Sequence, residues 1–201
     1  LVKDGRYNQN IGVFSVLIEV GHNRNTLREA MQYLVNAGVV DVRPGDGTYV
    51  RSRTAFDATL QKRLAKEELS TIMETRLLIE PPPTGLAAAR RSAEELAQLL
   101  QLQQALENSF QTQQADYIAR DTAFHLYLAQ LCHNPLLRDI YSNIITWHTR
   151  LVEQAFLTFC DGDGDLYLHR TLCRYIREQR EEEARALTEH MLRAEICQLN
   201  G

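Results

Sequence analysis

The amino-acid sequence predicts a mainly α protein in which a small N-terminal head, with the element order of a winged helix-turn-helix, precedes an antiparallel all-α helical bundle. Three observations carry that expectation. Residues 23–38, NRNTLREAMQYLVNAG, place Leu27, Ala30, Met31, Leu34 and Val35 at the i, i+3, i+4, i+7, i+8 spacing of one buried helical stripe. Val39, Val40 and Val42 then lead into RPGDGTYV, residues 43–50, which reads as a strand end, a glycine turn and a second strand. From residue 67 onward the chain repeats apolar helical stripes separated by caps and stops. A two-stranded ribbon is marginal alone in water, so this one needs a neighbour to lean on or a partner to close onto.

Each element has its own signal. Asn23 is a candidate N-cap for the first helix and Gly38 its C-terminal stop. Residues 1–52 form the expected head, residues 53–66 a polar linker that is itself partly helical, and residues 67–201 the bundle. Within the bundle we expect helices over 67–80, 84–91, 93–108, 113–132, 135–159, 165–179 and 181–199. Ser92 and Glu95 make a capping box for the third of these, and Asn134 with Pro135 supplies a cap and a first-turn proline for the fifth. The run Pro81, Pro82, Pro83 must end or sharply bend the first.

Composition excludes several classes. The chain has 201 residues, 44% hydrophobic and 24% charged, ordinary for a globular protein. No apolar run reaches the roughly 18 residues of a membrane span, and the polar start LVKDGRYNQN is no secretory signal. The missing initiator Met leads us to expect a truncated N-terminus. Cys132, Cys160, Cys173 and Cys197 are widely spaced and read as reduced thiols of a cytoplasmic protein. The net charge of -4 hides a division, because residues 1–53 carry 7 Lys/Arg against 5 Asp/Glu and the remainder 15 against 21. That direction fits a polyanion-binding head on an acidic body.

The first helix offers a reading surface. Arg24, Asn25, Arg28 and Gln32 lie opposite the apolar stripe, and with Asn23 and Thr26 they gather donors at the helix N-terminus, where the dipole also favours phosphate. Such a tip can enter a major groove and pair Arg with guanine or Asn with adenine. The segment NRNTLREAMQYLVNAGVVDVRPGDGTYV closely resembles the DNA-binding part of the GntR family of bacterial transcription regulators, through its R-x-x-L-R-E-A core, its G-V-V turn and its glycine-rich wing tip. The resemblance makes the ribbon a wing whose Gly45 lets the backbone approach a minor groove. Two departures weaken phosphate binding: Val13 to Leu17, with Phe14, stands where the family commonly reads E-R-E-L-A, and Asp46 stands where many relatives have Arg or Lys.

The bundle resembles the FCD ligand-binding domain of the FadR subfamily. The carriers are RLLIEP from Arg76 with LAAAR from Leu86, and DTAFH from Asp121 to His125 followed by NPL from Asn134. Asp121 and His125, four apart on a helix, can share a metal. The resemblance implies two more histidines on the last two helices, and His169 and His190 are taken for them. Asp and three His form a borderline donor set, with zinc first and nickel, manganese or iron also compatible. The family further implies a homodimer on operator DNA and a small organic acid as effector, with Arg76 as its charge-assisted contact.

Other motifs fail. Asp161 to Asp165 is spaced like a calcium loop, but Leu166 and Leu172 replace its Gly and Glu. His22, His133 and His148 read as structural or exposed. The expected function is a ligand-responsive transcription regulator, a repressor released by an organic acid. The alternative is a metal-dependent hydrolase using the Asp/His site, which would leave the recognition helix and wing without purpose.

Overall fold

The computed structural model describes residues 24–44, 46–52, 54–109, 114–155 and 163–199. The chain divides into two compact units, Leu1–Lys66 and Glu67–Gly201.

In the first unit, helix α1 (Arg24–Ala37) is followed by an antiparallel hairpin of β1 (Val40–Arg43) and β2 (Gly47–Val50). Its register pairs Val40 with Val50 and Arg43 with Gly47. Gly38 ends α1 as expected: its φ of 76° is the left-handed conformation, and the Val39 amide donates back to the Leu34 carbonyl at 2.9 Å. Of the expected apolar stripe, Leu27, Met31, Leu34 and Val35 are half-buried while Ala30 is exposed. The linker is mostly a helix, α2 (Ala55–Leu64), capped by the Thr54 hydroxyl, which accepts from the Asp57 amide at 3.0 Å. Ala58 and Leu64 of α2 are buried, and so are the ribbon's Val40 and Thr48.

The second unit is all helix in its described residues: α3 (Leu69–Ile79), α4 (Pro81–Arg90), α5 (Ala93–Ser109), α6 (Gln114–Leu131), α7 (Pro135–Ala155), α8 (Asp163–Arg177) and α9 (Glu181–Leu199). The proline run does bend the chain, but as the first turn of α4 rather than a gap before it. Proline is tolerated there because a first-turn N–H has no intrahelical acceptor. The capping box forms as expected, with the Ser92 amide donating to Glu95 at 2.7 Å and the Glu95 amide to Ser92 Oγ at 3.1 Å. Asn134 Oδ1 accepts from the Leu137 amide at 3.1 Å at the start of α7. The segment once comparable to a calcium loop contributes Asp163 to Asp165 to the first turn of α8.

The core joins Ala87 and Ala88 of α4 to Leu99, Phe124, Leu128, Leu172 and Ile176, all essentially inaccessible to solvent. Each such large side chain contributes about 1.5–3 kcal/mol relative to exposure. The small face of α4 lets α9 come close: a Cβ placed on Gly85 would stand 3.2 Å from the Glu181 carbonyl oxygen and 3.4 Å from the Arg185 Cβ. No described helix is long and apolar enough to cross a membrane.

Candidate metal centre

Helices α3, α6, α7, α8 and α9, with Glu80 at the junction of α3 and α4, surround a cavity of about 140 Å³. On one side Asp121 and His125, one turn apart on α6, meet His169 of α8. Asp121 Oδ1 lies 3.1 Å from His169 Nε2 and 3.5 Å from His125 Nε2, and the two Nε2 atoms are 3.4 Å apart. Ligands at about 2.1 Å from a metal stand about 3.4 Å from one another in a tetrahedral shell and about 3.0 Å when adjacent in an octahedral one. The three donors therefore already have the spacing of a coordination shell.

The rings are oriented from behind. His169 Nδ1 bonds the Asp165 carbonyl oxygen at 2.9 Å, and His125 Nδ1 lies 3.4 Å from the Tyr141 hydroxyl. Both rings thus turn Nε2 inward, the arrangement by which outer partners fix metal-binding histidines. Burial alone would raise the Asp121 carboxyl, yet the two imidazoles hold its pKa well below the ordinary value. Burial alone would lower His169, but Asp121 and Asp165 push it up to about 9. The donor set is one carboxylate and two imidazoles, which suits zinc, nickel, manganese or iron and leaves coordination positions for a ligand.

His190 does not join them. Helix α9 turns Thr188, Met191, Leu192 and Glu195 to the cavity, at i, i+3, i+4 and i+7, and His190 lies on the opposite, exposed side. One residue of helical register removes it, and Met191 takes the inward place.

Arg76 does line the cavity, but its guanidinium is already held. Its Nε donates to Glu80 at 2.6 Å and its Nη1 to both Glu195 carboxylate oxygens at 3.0 Å. His148, expected to be structural or exposed, is buried here, with a ring nitrogen 2.9 Å from Arg76 Nη1 and 3.0 Å from Glu195. Burial raises the Glu195 carboxyl, but Arg76 and His148 bring it down to about 2. The Arg76 to Glu80 spacing of four residues on one chain segment was the signal for this pair; nothing in the sequence pointed to Glu195 or to the inward face of His148.

In the first unit, Asn25, Thr26 and Arg28 are exposed on the opening turns of α1, which Arg24 begins. Asn23 and Gly45 lie outside the described residues. On the ribbon, Asp41 pairs with Arg51 at 2.5 Å and with Arg43 at 3.5 Å, and Asp46 lies 3.5 Å from Arg43.

Comparison with known proteins places this architecture. Residues 71–194 match the FCD domain. The HTH-type transcriptional regulator LutR of Bacillus subtilis is 30% identical over 131 residues, covering 61% of this chain and 57% of LutR. The uncharacterized HTH-type transcriptional regulator YcbG of the same organism is 26% identical over 158 residues, covering 78% of this chain and 66% of YcbG. The chain thus spans less than two thirds of either relative. Among solved structures, Streptococcus agalactiae GntR superposes with a TM-score of 0.66 at 22% identity, covering 94% of this chain and 88% of that one. The chain belongs to the family of the FCD domain, which spans most of its length, and shares its fold with Streptococcus agalactiae GntR.

Proposed function

We propose that this protein is a transcription regulator that acts as a cytoplasmic homodimer on operator DNA and responds to a small organic acid bound beside a divalent metal. The observation that carries the reading is the convergence of Asp121, His125 and His169 on one cavity of an FCD bundle whose chain also bears an exposed donor-rich helix tip next to a ribbon. In this reading α1 lies in the major groove with Arg24, Asn25, Thr26 and Arg28 toward the bases and Asn23 at its cap, while the ribbon, with Gly45 at its tip, follows the adjacent groove. One helix covers a half-site, so two-fold protein symmetry matches a palindromic operator. Asp121, His125 and His169 hold the metal, and their open side admits the ligand. The metal, when bound, supplies a Lewis-acid site for a carboxylate. The names of the relatives, all regulators, favour this reading over a hydrolase.

A gel shift with DNA from upstream of the protein's own gene, combined with elemental analysis, tests it. We expect retarded DNA, about one divalent metal per chain, and release of DNA by a small acid. DNA that is not retarded, or full metal content in Asp121→Ala, overturns it.

A further inference from the structure

The charges at one end of the cavity do not balance. There a single guanidinium, Arg76, faces two carboxylates, Glu80 at 2.6 Å and Glu195 at 3.0 Å. His148 touches Glu195 but does not make up the difference, because burial and the Arg76 charge hold its pKa below the ordinary histidine value and leave it neutral at pH 7. This end carries one surplus negative charge in a setting with little water, where an uncompensated charge is costly. The opposite end holds Asp121 and, behind His169, Asp165; with two neutral imidazoles and a divalent ion these charges cancel, and the ion is left to take a carboxylate directly. Both ends line the same cavity.

Ligand classes differ in how they meet these two ends. A simple carboxylate satisfies only the metal end and adds its charge to a cavity already rich in carboxylates. A dicarboxylate sends its second negative group toward Glu195 and Glu80. An acid that also carries an ammonium group satisfies both ends at once. The space of about 140 Å³ is close to the roughly 150 Å³ of a cavity that takes benzene, which suits an occupant of about six heavy atoms.

We propose that the ligand of this cavity is a small zwitterionic amino acid, its carboxylate directed to the Asp121, His125 and His169 end and its ammonium to the Glu195 carboxylate. The proposal rests on the reading of the cavity as an acid-binding site and narrows it to one class of acid. Glu195 is the specificity-determining residue: it completes the Arg76 cluster in the free protein and receives the ammonium in the bound one.

Calorimetric titration of the zinc-loaded full chain decides it, using amino acids paired with the hydroxy acids of the same carbon skeleton: L-alanine with L-lactate, and L-serine with L-glycerate. We expect the amino acid of at least one pair to bind 10-fold or more tightly than its hydroxy partner. In Glu195→Gln that preference should shrink to near unity, while Glu195→Asp, which keeps the charge, retains most of it. Hydroxy acids binding as tightly as amino acids in the wild-type protein overturn the proposal without any variant, and leave the broader acid-binding reading intact. A preference that persists unchanged in Glu195→Gln also overturns it. Absence of binding by all four compounds defeats both this proposal and the acid-binding reading beneath it.

Discussion

Helices α8 and α9 each carry a histidine that the sequence offers as a metal ligand, and only one of the two reaches the cavity. On α8, His169 shares a stripe with Leu166, Leu172, Cys173 and Ile176, all buried. On α9 the corresponding stripe is Ala184, Thr188, Leu192 and Glu195, and His190 falls between its members on the solvent side. Residue type makes a side chain eligible for a site; helical phase decides whether it arrives. What α9 contributes instead is a carboxylate bound to a buried arginine.

The sharpest way to press this comparison is to remove the group that α9 and α3 share. Arg76→Met leaves Glu80 and Glu195 buried without a cation, and breaking such a pair costs about 3–5 kcal/mol. For a chain of this size we expect the melting temperature to fall by roughly 10 °C, measured by circular dichroism. An unchanged melting temperature would mean that the Arg76 cluster is not closed as described.

Acid tests the same contact without mutation. The Glu195 carboxyl has a depressed pKa, about 2 against an ordinary 4.5, so its contribution is fully present above about pH 4.5 and is lost as the pH falls toward 2. Linkage over that interval amounts to about 3 kcal/mol. Denaturant titrations at pH 6, 4 and 3 should show wild-type stability declining more steeply than that of Glu195→Gln; parallel curves would count against the ion pair.

Metal content separates the two histidines. His169→Ala should bind zinc 10- to 100-fold more weakly, the scale on which perturbed metal sites respond. His190→Ala, the smallest expected effect, should leave both zinc affinity and stability unchanged within about 0.5 kcal/mol, as for other surface substitutions. A loss of zinc in His190→Ala would restore it as a ligand and break the phase argument.

Local chemistry was readable where the signal lies within a few residues. Gly38, the Ser92 and Glu95 capping box, and Asn134 before Pro135 each set one helix boundary, and each behaves as its neighbours dictate. The pairing of Asp121 with His125 was readable for the same reason, since four residues on a helix return to one face. What was not readable depends on the rotation of one helix against another. His148 and Glu195 are 47 residues apart and meet only because α7 and α9 both pack beside α3. The prolines show a milder case: the expectation that they break a helix holds, but where the next helix begins depends on whether the freed carbonyls find other partners.

Gly85 gives α9 a mechanical character. Near its N-terminus the helix rests on α4 so closely that a methyl group on Gly85 would press its neighbours by a few tenths of an ångström, and 14 residues later, about 21 Å along the axis, Glu195 ties it to Arg76. A rod held at two such points, one by close packing and one by charge, keeps its lengthwise register against its neighbours.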